Sequence, residues 1–330
     1  MKAIKFFAIS AMAAAMITSC SSEDELSQSN YPSDNIVRVT AGVNNAKTRA
    51  EGAGTEMKND FSLTIVNKNA PKYTYTDKVF SKTSGDWACS ETLLWQKSDA
   101  LVDIVAFAPA QTGKFNGVYA NGSIQPIAYS VASDQSSDQS TSSDNNDLLY
   151  YYAKNFNPGE SLDKGKLNIQ FNHAFCMIDI NVTLGTEFNK PSIPTTSPIV
   201  KVTLGGTKIA ANVDVTNAAS VVTASGEATA TDITTTNGSF TTAADPEKNA
   251  ISRFSCIAIP QTVAANTFKV SLMTAGKRYE WTSDKEITLQ SGYRYTLNLS
   301  MGNDVVLLKG GSISATPWTE ITSDKPLETD

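Results

Sequence analysis

Histidine occurs once in the 330 residues of this chain, at position 173. Ser-His-Asp or Cys-His chemistry would have to rest on that one ring. His173 lies between two apolar, strand-like segments, the setting of a core or edge histidine that makes one hydrogen bond. Cys176 follows three residues later, and in an extended chain an odd offset sends two side chains to opposite faces. Zinc needs three or four His, Cys or acidic ligands, and no spacing here supplies them. A Gly-x-Ser-x-Gly elbow, a P-loop and a dinucleotide-binding glycine pattern are also missing. The sequence thus offers no catalytic residue, no metal site and no cofactor. Basic residues are outnumbered, 27 Lys and Arg against 33 Asp and Glu, and no basic stretch is interleaved with aromatics. That argues against nucleic acid as a partner.

Helical periodicity is lacking too, and charged residues make up only 18% of the chain. Ser, Thr, Asn and Gly are abundant instead, which suits strands and turns. Phe61-Ser62-Leu63-Thr64-Ile65 and Leu167-Asn168-Ile169-Gln170-Phe171 alternate apolar and polar, predicting strands with one face in a core. Leu101 to Ala108 is an apolar run closed by Pro109, as in a central strand covered on both sides. Cys176, Ile178, Ile180 and Val182 share one strand face, with Met177, Asp179 and Asn181 on the other. Pro191, Pro194 and Pro198 then break ladder hydrogen bonding, which predicts a linker over 185–198. Strand signals resume at Val200-Val202-Leu204, Ile257-Ile259, Phe268-Val270-Leu272, Tyr279-Trp281 and Tyr293-Tyr295-Leu297-Leu299. The length permits two ordinary cores. The expected fold is all-β, two tandem antiparallel β-sandwich domains over 36–184 and 199–330.

The first residues read as a secretory signal over 1–19. Lys2 and Lys5 are followed by an alanine-rich apolar run from Phe6 to Met16, and Ile17-Thr18-Ser19 leads into Cys20. The run falls short of the roughly 20 apolar residues that span a bilayer. Cleavage between Ser19 and Cys20 would leave Cys20 to be lipidated; a plain export signal with a chance cysteine is the other reading. Residues 20–35, opening with Ser21-Ser22-Glu23-Asp24-Glu25, form an expected acidic, polar tether between lipid and folded body. Each buried acyl methylene adds about 0.8 kcal/mol, so several acyl chains make a lasting anchor. With Cys20 so used, Cys89, Cys176 and Cys256 remain. Apolar strand patterns around Cys176 and Cys256 fit buried thiols; one disulfide plus one thiol is the alternative.

Ser133 to Asp147 is a low-complexity insert with aspartates at 134, 138, 144 and 147. It lacks the alternating order of a calcium loop and reads as a solvated surface loop.

The stretch Leu167 to Ile178, strand, His173-Ala174, strand, resembles the signature of the fimbrillin-like proteins, or type V pilins. Further matches follow in order: Asp138-Gln139-Ser140 before Asp147-Leu148-Leu149, then Ile257-Ala258-Ile259-Pro260-Gln261, Gly292-Tyr293-Arg294-Tyr295, Gly310-Gly311-Ser312-Ile313 and Trp318. The resemblance implies transthyretin-like, Greek-key sandwiches and a structural or adhesive subunit, not an enzyme. It implies export to the outer membrane as a lipoprotein, then a cut by a trypsin-like protease after an arginine near the end of the first strand. Here that residue is Arg49, before Ala50, downstream of Ile36-Val37-Arg38-Val39-Thr40. Loss of the strand would open a groove for a strand from another copy or a related subunit. Val305, Leu307, Ile313 and Trp318 are the candidate donor side chains. A ligand on a host or bacterial surface would belong to an adhesive member. The rival expectation is an anchored lipoprotein that stacks glycans on Trp87, Trp95, Tyr150, Tyr151 or Tyr152.

Overall fold

The structure, a computed structural model, describes residues 30–44, 55–57, 59–110, 118–137, 147–190, 192–303, 305–308 and 313–318. In chain order the strands are β1 (Arg38–Val43), β2 (Thr55–Glu56), β3 (Phe61–Val66), β4 (Tyr75–Thr83), β5 (Asp86–Cys89), β6 (Val102–Ala108), β7 (Tyr119–Ala120) and β8 (Ser123–Ile124). Next come β9 (Ile127–Ser130), β10 (Leu149–Phe156), β11 (Lys166–His173), β12 (Cys176–Leu184), β13 (Ile199–Gly205), β14 (Ala210–Val213), β15 (Val222–Ala224) and β16 (Ile233–Thr234). The last are β17 (Thr236–Thr241), β18 (Ile251–Ala258), β19 (Gln261–Val263), β20 (Lys269–Thr274), β21 (Arg278–Thr282), β22 (Ile287–Leu289), β23 (Tyr293–Met301), β24 (Val306–Leu308) and β25 (Ser314–Pro317). The all-β expectation holds.

One eight-stranded sheet runs β2-β1-β11-β10-β6-β3-β4-β5. Its ends approach each other: the Val37 N–H donates to the Leu93 carbonyl (2.9 Å) and the Trp95 N–H to Asn35 (2.8 Å). The curled sheet encloses a first core, where the Phe61 ring lies 5.3 Å from Phe80, 4.9 Å from Trp87 and 5.5 Å from Phe171.

All seven residues of β6 are buried, as its largely apolar run predicts, and the one charged member, Asp103, pairs with Lys68 at 2.7 Å. Ile104, Ala106 and Ala108 enter the first core, whereas Val105 and Phe107 enter a second one. Strand β10 divides likewise, Tyr151 packing on the first core and Tyr150 and Tyr152 on the second. Strand β3 was expected to bury one face and buries both. Its Ser62 and Thr64 lie opposite Phe107 and Val105, under the second core, and the Thr64 hydroxyl accepts from the Asp77 N–H (3.0 Å).

The second core is shared by a six-stranded sheet, β17-β18-β12-β23-β24 with β25 also on β23, and a four-stranded one, β16-β13-β20-β21. Strand β12 pairs antiparallel with β18 and parallel with β23, and Asp179 and Arg294 form an ion pair across the parallel register. Strands β1 and β11 are also parallel, where an antiparallel arrangement was expected. Long connections separate both pairs, so no hairpin dictates their direction. The chain visits the second core at Val118 to Val131 and at Leu148, and its last passage there comes at the fully buried Ala174 and Phe175, one strand ahead of the proline-bearing stretch 185–198. Proline marks where a ladder stops, not where a core ends.

Two local expectations change. Val200 is 58% exposed because a bulge between Ile199 and Lys201 shifts the strand's phase, leaving Ile199 and Val202 buried. In the insert, Gln135 is fully buried, its amide accepting from the Ile257 N–H (2.8 Å) and donating to the Ile257 carbonyl (2.9 Å). That end is docked rather than solvated; residues 138–146 lie outside the described ones.

Phe61→Ala should lower stability by about 3–5 kcal/mol in urea unfolding, whereas Val200→Ala should stay within about 0.5 kcal/mol. Cys89, Cys176 and Cys256 are free thiols, and burial pushes those of Cys176 and Cys256 up, which disfavours the reactive thiolate. Alkylation followed by mass spectrometry should therefore tag the half-buried Cys89 in the native protein, and Cys176 and Cys256 only on unfolding.

Candidate functional site

Two strand edges carry the candidate residues. The first is β1. On one side it pairs with β11 along six residues, from Arg38 opposite Lys166 to Val43 opposite Phe171; on the other, β2 covers only Gly42 and Val43. Val37, Val39 and Val43 alternate into the first core. Polar contacts pin both ends. The Asn44 N–H donates to the Phe171 carbonyl (2.7 Å) and its side-chain amide to Asn172 Oδ1 (2.8 Å). At the start, hydrogen bonds from the Arg38 guanidinium hold the Asp34 carboxyl well below the usual carboxylate range. Ser19, Cys20, Arg49 and Ala50 lie outside the described residues.

The second edge is the outer side of β23. Strand β24 pairs there with Leu299 to Met301 and β25 with Tyr293 to Thr296, both antiparallel. The four donor candidates divide on it. Val305 and Leu307 are 50% and 59% exposed, with Val306 between them buried. Ile313 packs partly on the second core, and all four residues of β25 are exposed. Trp318 is buried, its ring stacked on His173 with centroids 3.9 Å apart and planes 12° from parallel. The Trp318 N–H donates to the Gly292 carbonyl (2.7 Å). Gly292 holds φ at +71°, a conformation that favours glycine, and its own N–H donates to Phe175 (2.9 Å). His173 Nδ1 sits 2.7 Å from Asp147 Oδ2, so the lone histidine has the polar partner expected of a core residue. Its stacking on an indole from the far end of the chain had no sequence signal.

The aromatics proposed for sugar stacking are engaged in packing. Trp95 is buried against Phe156, Trp87 meets Phe61 edge-on, and Tyr150, Tyr151 and Tyr152 are half-buried against the two cores. Among the described residues, no three His, Cys, Asp or Glu side chains gather as metal ligands.

The fold is similar to those of several solved structures. A candidate cell adhesion protein from Bacteroides ovatus superposes with a TM-score of 0.60 at 18% identity, covering 88% of this chain and 99% of that one. Another from Bacteroides uniformis gives 0.54 at 15% identity, covering 87% and 100%. A fimbrial protein from Bacteroides vulgatus gives 0.51 at 15% identity, covering 86% and 98%. At such identities the likeness is one of fold. No curated protein sequence matches the chain. The fimbrillin-like family model matches residues 48–318, which takes in β2 to β25, the His173-Ala174 turn and Trp318. The chain belongs to the fimbrillin-like family.

Proposed function

We propose that this fimbrial subunit is exported as a lipoprotein on Cys20, cut between Arg49 and Ala50 by a trypsin-like protease, and polymerised at the cell surface by strand exchange. The place of β1 carries this reading. It is the strand directly upstream of Arg49, and its departure would unpair β11 from Lys166 to Phe171. Its buried Val39 and Val43, with Val37 just ahead of it, are worth roughly 5 to 9 kcal/mol gross, at about 1.5–3 each. Their loss would leave a groove beside a row of unpaired backbone groups, a surface that recruits another strand. The same cut would separate Cys20 from the body, so the lipid would hold the precursor alone.

On the donor side, β24 lies outermost on β23 and leaves Val305 and Leu307 exposed in alternate positions. An extended segment with exposed alternate apolar side chains suits insertion into a neighbour's groove. A subunit at the end of a fibre would keep that segment on its own β23.

After protease treatment the wild-type protein should give a ladder of oligomers on native gels, and Arg49→Ala should stay monomeric; a normal ladder from the variant rules the cut out. Leu307→Glu should shift the unfolding free energy by less than about 0.5 kcal/mol, since the residue is exposed. The same change should lower polymer yield roughly tenfold or more if Leu307 fills a pocket in the next subunit. Undiminished yield removes it from the donor.

A further inference from the structure

The C-terminal segment buries Val306 and, in part, Ile313, but its β25 stretch is exposed throughout. Strand β25 adds four cross-strand pairs at a sheet edge, where water competes for the backbone, and none of its own side chains is buried. Val305 and Leu307 are likewise open to solvent. Trp318 differs: it is 7% exposed and lies flat on a ring whose orientation is fixed independently. His173 closes β11, its Nδ1 is held by Asp147 at 2.7 Å, and the neighbouring Ala174 N–H donates to the Leu148 carbonyl at 2.8 Å. The Gly292 turn completes the seat by accepting the Trp318 N–H. Two chain regions far apart in sequence, 173 and 292, thus meet at Trp318, and 147–148 brace the first of them.

We propose that Trp318, seated on His173, is the catch that keeps the C-terminal segment on its own β23, so that the stack sets how readily the segment leaves. Aromatic stacking of this kind adds specific attraction to the area it buries, and here it anchors a strand that has little other side-chain burial. Val306 and Ile313 hold the segment upstream, so loss of Trp318 opens β25 alone, exposing the 293–296 edge of β23 without disturbing β12 on its other side. The catch itself is a property of the folded precursor. Its bearing on assembly rests on the strand-exchange reading above.

Hydrogen exchange on the full uncut chain tests the catch. In Trp318→Ala, amides of 293–296 should exchange roughly tenfold or more faster than in wild type, with 178–182 of β12 unchanged. Trp318→Phe, which keeps a stacking ring, should stay near wild type. Wild-type protection at 293–296 in Trp318→Ala overturns the proposal, as does equal loss of protection in Trp318→Phe. The β12 amides distinguish local opening from global loss of protection, and where the loss is global His173→Leu serves as the second variant, with the same local loss expected. The two readings separate after protease treatment: a Trp318→Ala chain whose segment is freed but which forms no oligomers keeps the catch and sinks strand exchange.

Discussion

The alternation of side chains along β6 is the constraint on which the rest depends. Ile104, Ala106 and Ala108 fill the curled first sheet, and Val105 and Phe107 fill the second core from the opposite face. Because the side-chain period of a strand is two, a one-residue slip would send each set into the wrong core. Strand β10, paired with β6 from Leu149 opposite Ala108 onward, repeats the division with Tyr151 on one side and Tyr150 and Tyr152 on the other. The two cores therefore lie on either face of shared strands and are not independent beads on a linker. Residues that look merely polar in sequence, such as Ser62 and Thr64, are buried because they sit beneath that second layer.

The second core has its own organiser in β12, hydrogen-bonded on both sides and buried at every other position. Its pairing with β23 is parallel and joins residues more than a hundred positions apart, so nothing local sets the register. The ion pair between Asp179 and Arg294 supplies a specific contact there, on the face that Met177 and Asn181 share. Such a pair, partly exposed, contributes more to register than to stability.

Alternating and largely apolar patterns made the strands legible. The face of β12 read from Cys176, Ile178, Ile180 and Val182 is the buried one, and the run at 101–108 is covered on both sides. What escaped depends on distant partners. Nothing in Val200-Lys201-Val202 announces a bulge, and nothing in Ser133-Asp134-Gln135 says that Gln135 will bond both backbone groups of Ile257. The last passage into the second core was hidden because Ala174 and Phe175 carry no turn chemistry, whereas the conspicuous prolines come a strand later. At the candidate site the two edges were legible as strands, but the division of the donor candidates was not: only the fold shows Trp318 seated on His173 while Val305 and Leu307 stay in solvent.

As a fimbrillin-like chain the protein is a structural subunit of a cell-surface fimbrium and not an enzyme. A subunit that is to exchange strands needs removable strands that no second core depends on. Strand β1 meets that requirement: its valines enter the first core only, and on the outer side it is covered by two residues of β2. Losing β6 or β10 would strip side chains from both cores at once, whereas losing β1 leaves the shared strands and all of the second core paired. Strands β24 and β25 meet it from the other end, because they lie outside β23, whose opposite edge is already secured by β12. The sharing of β6 and β10 ties the halves together, whereas β1 at one end of the folded chain and β24 and β25 at the other lie outside the shared strands.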